Sequence, residues 1–169
     1  MKTLLILRHA KSSWSDPELS DHDRPLNKRG RLAAPVMGAF LDERSGPPDL
    51  IVSSSALRAM QTASLFAVGC AYAGPIEERA ELYGGGPDEY LAVLRGVSDV
   101  YGRVLVVGHN PAIEELWLGL TGRLHRWPTC ALGEVRLEVA SWSRAHGGAV
   151  SEAEGPWLPR AVAGERDPE

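Results

Sequence analysis

The chain alternates short apolar runs, each ending abruptly in polar residues, with longer stretches whose apolar positions recur at helical spacing. Leu4-Leu5-Ile6-Leu7, Leu50-Ile51-Val52 and Val104-Leu105-Val106-Val107 are unbroken apolar runs, the pattern of strands buried on both faces of a sheet. They predict strands over 3–8, 50–53 and 103–107, with a further short strand near Ile76. Residues 133–139 alternate polar and apolar, which predicts a strand with one wet face, antiparallel or near an edge. Helices are predicted over 28–43, 56–68 and 87–95, and between Pro111 and Gly122. Asn27 is placed to cap the first of these, and Pro35 inside it predicts a kink or a later start. Its expected core face is Leu32, Val36, Ala39 and Phe40. That of the second helix is Leu57, Met60, Ala63 and Leu65, and that of the fourth Ile113, Leu116, Trp117 and Leu120.

Strands alternating with helices predict an α/β three-layer sandwich, a largely parallel central sheet flanked by helices. Residues 1–142 are expected to form the single domain. Residues 143–169, rich in Gly, Ala, Glu and Pro, are expected to form a C-terminal segment, partly docked through Trp157-Leu158, with its last residues flexible. The five tryptophans read as core or loop anchors, Trp14 pinning the polar loop over 11–25 to the core, with exposure as the alternative for Trp127 and Trp142.

Composition narrows the class. At 44% hydrophobic and 24% charged residues the chain reads as globular. No apolar run approaches the roughly 18–20 residues of a membrane span, and Met1-Lys2 leads straight into a strand, so neither a membrane anchor nor a signal peptide is expected. Cys70 and Cys130 show no CxxC pattern and are expected to be reduced thiols of a cytoplasmic protein. The net charge is −4 but uneven: residues 1–60 carry nine Lys/Arg against seven Asp/Glu, and 61–169 carry nine against fifteen. A local basic excess on an acidic chain suits an anion site rather than a nucleic-acid surface, which needs a basic domain overall.

The polar strand ends carry the candidate chemistry. Arg8-His9 follows the first strand, Ser53-Ser54-Ser55 the second, and Gly108-His109-Asn110 the strand over 103–107. On one sheet edge they converge on one crevice. A phosphoryl group needs its charge balanced in a fixed geometry, which arginine provides bidentately. A neutral histidine can attack phosphorus, and a second one can donate to the oxygens as charge develops. A metal is a rival use of His9 and His109, but no HExxH or HxH pair accompanies them and flanking arginines repel a cation. No cofactor is expected.

Leu7-Arg8-His9-Ala10-Lys11-Ser12-Ser13-Trp14-Ser15, Leu26-Asn27-Lys28-Arg29-Gly30, the run from Val52 to Ala63 containing Ser53-Ser54-Ser55 and Arg58, and Val107-Gly108-His109-Asn110 together resemble the histidine phosphatase superfamily, the phosphoglycerate-mutase-like group, and within it the small SixA-type phosphohistidine phosphatases. The resemblance spans residues 3–122. It implies a phosphatase with His9 as the phosphorylated nucleophile, Arg8 and Arg58 as phosphate ligands, and His109 completing the pocket. Glu81 resembles the acid-bearing position of relatives, with an ordinary surface carboxylate as the alternative. Ser12, Ser15 and Asn110 are candidate substrate contacts, as is Arg24 in the loop near the predicted mouth, with an ordinary loop ion pair as its alternative. Ala10 departs from the usual glycine, and Lys11 stands where mutase-type relatives carry Glu. Only fifty residues separate Arg58 from His109, which implies an open site. The expected substrate is phosphohistidine of a signalling protein, with a small phosphomonoester as the alternative. A non-catalytic phospho-ligand binding module is the reading from another class. A monomer is expected.

Overall fold

The structure, a computed structural model, describes residues 1–164. Six strands form one sheet: β1 (Lys2–Arg8), β2 (Leu50–Ser54), β3 (Ile76–Arg79), β4 (Arg103–Gly108), β5 (Leu132–Leu137) and β6 (Val150–Trp157), in the order β3-β2-β4-β1-β5-β6. The first four are mutually parallel; β5 runs antiparallel to β1, and β6 antiparallel to β5. Five helices flank the sheet: α1 (Lys28–Ser45), α2 (Leu57–Gly69), α3 (Pro87–Arg95), α4 (Ala112–Thr121) and the short α5 (Pro159–Val162).

Alternation along the central strands builds two cores. Leu5, Leu7, Ile51, Leu105 and Val107 face α1 and α2, while Leu4, Ile6, Val52, Val104 and Val106 face α3 and α4. This is the expected three-layer α/β sandwich. Asn27 caps α1, its side chain accepting the Gly30 N–H at 2.9 Å. The helix continues through Pro35. Gly122, left-handed at φ 70°, closes α4, whose Ile113, Leu116, Trp117 and Leu120 are all buried.

The core faces of α1 and α2 differ from expectation. In α1 the buried residues are Gly30, Ala34, Met37, Gly38 and Leu41, whereas Leu32 is 62% and Val36 37% exposed. In α2 they are Arg58, Ala59, Thr62, Ala63, Phe66 and Ala67, while Leu57 faces solvent and Met60 and Leu65 are half-buried. The cause is close packing of the two helices through small residues. A Cβ at Gly38 would lie 2.2 Å from the Phe66 carbonyl oxygen, and one at Gly69 2.1 Å from that of Pro35. Large side chains on that seam would hold the helices apart, so the apolar stripe that periodicity picks out is the wrong one.

Trp14 does not reach the core. It is 74% exposed, and the Arg24 guanidinium stacks 3.5 Å from its ring centroid. Trp127 and Trp142 are fully buried. The face of β5 expected to be wet holds Glu134 at 4% exposure, beside Arg136 at 3.3 Å and Arg103 at 3.9 Å. β6 covers the edge of β5, and Trp157 at its end packs edge-on against Phe40 at 5.4 Å. The residues expected to be flexible at the extreme C-terminus fall in 165–169, outside the described residues. Among the described residues no helix is long and apolar enough to cross a membrane.

Candidate active site

Register brings the polar strand ends together. Arg8 pairs with Gly108 across β1 and β4, and Ser53 with Val107 across β2 and β4. Arg8, His9, Ser54 and His109 therefore end three adjacent parallel strands at one sheet edge. His9 is fixed by its backbone: its N–H donates to the Gly108 carbonyl at 3.0 Å, and its carbonyl shares the Cys130 N–H with that of Arg8, at 3.1 Å each.

The His9 ring is 7% exposed, with Nδ1 2.7 Å from the Ala10 carbonyl. A carbonyl only accepts, so Nδ1 carries the hydrogen and Nε2 of the neutral ring holds the lone pair. Burial pushes the His9 pKa down to about 3; the Ala10 carbonyl opposes this, and His109, Arg58 and Arg8 add to it. The ring is therefore neutral near pH 7. Ala10 is held in turn. Its N–H donates to Thr62 Oγ1 at 2.9 Å, and the Thr62 hydroxyl donates to the Arg58 carbonyl at 2.7 Å. One buried hydroxyl thus ties the His9 segment to the helix that carries Arg58.

Arg58 lies in the first turn of α2 and is 6% exposed. A cation there faces the positive end of the helix dipole, an unfavourable placement of up to about 1 kcal/mol that a nearby anion offsets. Asp21 supplies the anion: Arg58 Nη1 donates to its backbone carbonyl at 2.6 Å and Nη2 to its carboxylate at 3.1 Å. That carboxylate also accepts from Tyr83 Oη at 2.8 Å and from Arg24 Nε at 3.1 Å. Burial works to raise the Asp21 pKa, but the Tyr83 hydroxyl and the Arg58 and Arg24 guanidiniums override it and hold it at about 2. Arg8 donates from Nη1 to the Trp127 carbonyl at 2.8 Å. Burial lowers its pKa while Glu114 raises it; a guanidinium stays charged under either.

The rings of His9 and His109 are 5.0 Å apart, tilted by 51°. His109 Nε2 lies 2.7 Å from Ser54 Oγ, which accepts the Ala56 N–H at 3.3 Å. In the tautomer in which the Ser54 hydroxyl donates to Nε2, the ring hydrogen sits on Nδ1. Burial pushes the His109 pKa down to about 4, with Arg58 and Arg8 adding and Asp21 opposing. The His109 backbone N–H donates to Tyr90 Oη at 3.0 Å. Arg8 Nε, Arg58 Nε and His109 Nδ1 are all buried without a partner among the described residues. Three unspent nitrogens beside a neutral histidine form a set of donors for an oxyanion. Among the described residues no group of three His, Cys, Asp or Glu side chains is placed to hold a metal ion.

The other candidate residues are placed differently. Arg24 spends its guanidinium on Ser12 Oγ at 2.8 Å, the Ser13 carbonyl at 3.2 Å and Asp21. Ser12 is buried under that contact. Ser15 is exposed and bonds Ser13 at 2.8 Å. Glu81 is exposed in a short 3-10 turn two residues before Tyr83. The Asn110 side chain donates to the Trp127 carbonyl at 2.9 Å and to Glu114 at 3.1 Å. Reasoning from the sequence missed Asp21, Thr62 and Tyr83 as supports. It also missed His22, which lies edge-on to Tyr83 at 4.7 Å and bonds Ser55 at 3.0 Å. Asp21 had a signal, since it precedes Arg24 in the polar loop at the mouth; Thr62 had none.

Residues 4–83 match the model of the histidine phosphatase superfamily, branch 1. An uncharacterised chloroplast protein of Arabidopsis thaliana is 30% identical over 158 residues, covering 85% of this chain and 70% of that protein. The crystal structure of the candidate phosphohistidine phosphatase SixA of Agrobacterium tumefaciens superposes with a TM-score of 0.75 at 30% identity, covering 80% of this chain and 92% of that one. The protein histidine phosphatase SixA complexed with tungstate superposes with a TM-score of 0.75 at 22% identity, covering 91% and 97%, a likeness of fold.

Proposed function

The chain belongs to the histidine phosphatase superfamily and is a phosphatase, and on that premise we propose that it works through a covalent phosphohistidine on His9 and takes its phosphoryl group from phosphohistidine of a protein. The observation that carries the mechanism is the 2.7 Å bond from His9 Nδ1 to the Ala10 carbonyl. It leaves the Nε2 lone pair as the nucleophile in a ring kept neutral by burial.

In the first step Nε2 forms a bond to phosphorus as the bond from phosphorus to the leaving nitrogen breaks, and the departing imidazole keeps the electron pair and a proton. Arg8, Arg58 and His109 Nδ1–H hold the three equatorial oxygens through donors that nothing else occupies. In the second step water attacks phosphorus, His9 regains its lone pair and phosphate departs. A protonated imidazole leaves readily, so a phosphohistidine substrate does not require a strong acid. For a phosphomonoester, the Glu81 carboxyl on the turn beside Tyr83 is the proposed proton donor. Arg24 fixes the loop through Ser12 and Ser13; a direct substrate contact by Ser12, Ser15, Arg24 or Asn110 is a secondary proposal.

Access supports a protein-borne substrate. Between Arg58 and His109 the chain holds only β3, one 3-10 turn, α3 and β4 after α2 ends, with no added helix to lie over the site. A groove of about 620 Å³ is lined by Lys11 and Cys130 and by neither histidine. A cytoplasmic signalling role follows from this reading.

The test uses a chromogenic aryl phosphate and a histidine-phosphorylated protein, each with wild type and His9→Ala. Turnover of both by wild type, faster on the phosphoprotein and abolished by His9→Ala, is expected. Turnover retained by His9→Ala refutes the mechanism, and a preference for the aryl phosphate assigns the enzyme to small phosphomonoesters.

A further inference from the structure

Helix α1 carries a second apolar stripe that the core uses only at its C-terminal end. At its C-terminal half Phe40 packs on Trp157. One and two turns earlier, Val36 and Leu32 stay 37% and 62% exposed. They line the 620 Å³ groove that separates α1 from α5, with Pro128 and Leu158 completing its apolar wall. The charged side chains on its rim are Lys11, Arg29 and Arg160, and among the described residues the lining contains no carboxylate. Lys11 and Arg29 form no ion pair among the described residues. On a chain of net charge −4 this is a local positive rim around an apolar floor.

The groove adjoins the site. Lys11 lies two residues beyond His9, within about 7 Å along the chain. Cys130 in the groove wall is the residue whose N–H holds the Arg8 and His9 carbonyls. Leu32 and Val36 are one helical turn apart, about 6 Å between their Cβ atoms, the spacing at which a helix laid in a groove presents its own i and i+4 anchors.

We propose that this groove docks an acidic amphipathic helix of the phosphoprotein substrate, holding it so that the phosphohistidine reaches His9. This rests on the phosphohistidine reading above. Three cations, with no carboxylate among the described lining residues, select an acidic partner over a basic one, and the exposed apolar pair selects an amphipathic helix over a flexible acidic tail.

The test measures kcat/KM of the full chain for an acidic, helical, histidine-phosphorylated protein and for a chromogenic aryl phosphate, using Leu32→Glu/Val36→Glu and Arg29→Glu/Arg160→Glu double variants. All four substituted positions are exposed, and aryl phosphate turnover reports that each variant is folded. Either variant is expected to lower kcat/KM on the phosphoprotein about tenfold or more, chiefly through KM, while the aryl phosphate value stays within about twofold of wild type. Raising salt from about 50 mM to about 0.5 M weakens wild type on the phosphoprotein more than it weakens the charge-reversed variant. Unchanged phosphoprotein kinetics in both variants overturns the proposal, as does an equal loss on both substrates. A concentration-dependent dimer that Leu32→Glu/Val36→Glu abolishes assigns the groove to a second copy and likewise overturns it. A wild type active on the aryl phosphate but inert on the phosphoprotein refutes the phosphohistidine reading itself, an outcome distinct from failure of the groove alone.

Discussion

Thr62→Val isolates the link between the His9 segment and α2 with little change of shape. Thr62 is fully buried, and its hydroxyl accepts from Ala10 N–H at 2.9 Å and donates to the Arg58 carbonyl at 2.7 Å. The Arg58 carbonyl faces the i+4 backbone N–H of an α-helix, so losing the hydroxyl leaves it satisfied. The Ala10 N–H has no such second partner. Valine replaces the hydroxyl with a methyl of similar volume, so no cavity opens, and the cost is one orphaned buried donor, about 1–3 kcal/mol. For a chain of this size that lowers Tm by roughly 2–4 °C per kcal/mol, or about 4–8 °C at the middle of the range. Activity falls as well, because the Ala10 carbonyl holds the His9 tautomer. A displacement of His9 approaching 1 Å costs up to about a hundredfold in rate. Thr62→Ser separates the terms: it keeps both hydrogen bonds and loses only a methyl, about 1 kcal/mol, with kcat near wild type. Thermal unfolding and steady-state kinetics on an aryl phosphate measure both effects. A Thr62→Val variant with wild-type Tm and kcat refutes the reasoning, as does a Thr62→Ser variant as slow as Thr62→Val.

Two further predictions concern charge. His9 and His109 are held at about 3 and about 4, below the roughly 6.5 of an unfolded histidine. The unfolded chain therefore binds more protons in that window, and stability rises with pH across it. The contribution is complete above about pH 6.5 and is lost progressively as the pH falls through about 4 and 3; urea unfolding at stepped pH reads it. A wild-type profile flat across that window, or one that His9→Asn does not flatten, counts against buried neutral histidines. Asp21→Asn keeps the backbone carbonyl contact to Arg58 but removes the carboxylate shared by Arg58, Arg24 and Tyr83. Loss of a charge-assisted contact that orients Arg58 outweighs the relief of repulsion from a half-exposed, screened carboxylate, so kcat/KM on the aryl phosphate drops about tenfold. A rise in kcat/KM would instead make Asp21 a competitor of the phosphate.

The sequence by itself determined the layered α/β architecture and the identity of the central strands. Unbroken runs such as Leu4–Leu7 and Val104–Val107 have no other stable place than a sheet covered on both faces. It also determined which polar residues sit at strand ends, because each run stops at a fixed residue, and so it placed Arg8, His9 and His109 near one another. The seam between α1 and α2 was not legible. Gly38, Gly69, Ala34 and Ala63 pack closely because two backbones approach, and periodicity rewards large apolar residues instead. The supports of the site were hidden for a related reason. Thr62 reaches Ala10 across 52 residues and Asp21 reaches Arg58 across 37, and no local pattern marks either long-range contact, although Asp21 stands near Arg24 in the loop. Tertiary structure alone decided the state of His9. Its residue type permits a cation, a donor or a nucleophile, and burial against the Ala10 carbonyl, with His109 and two arginines alongside, leaves a neutral ring with its lone pair on Nε2.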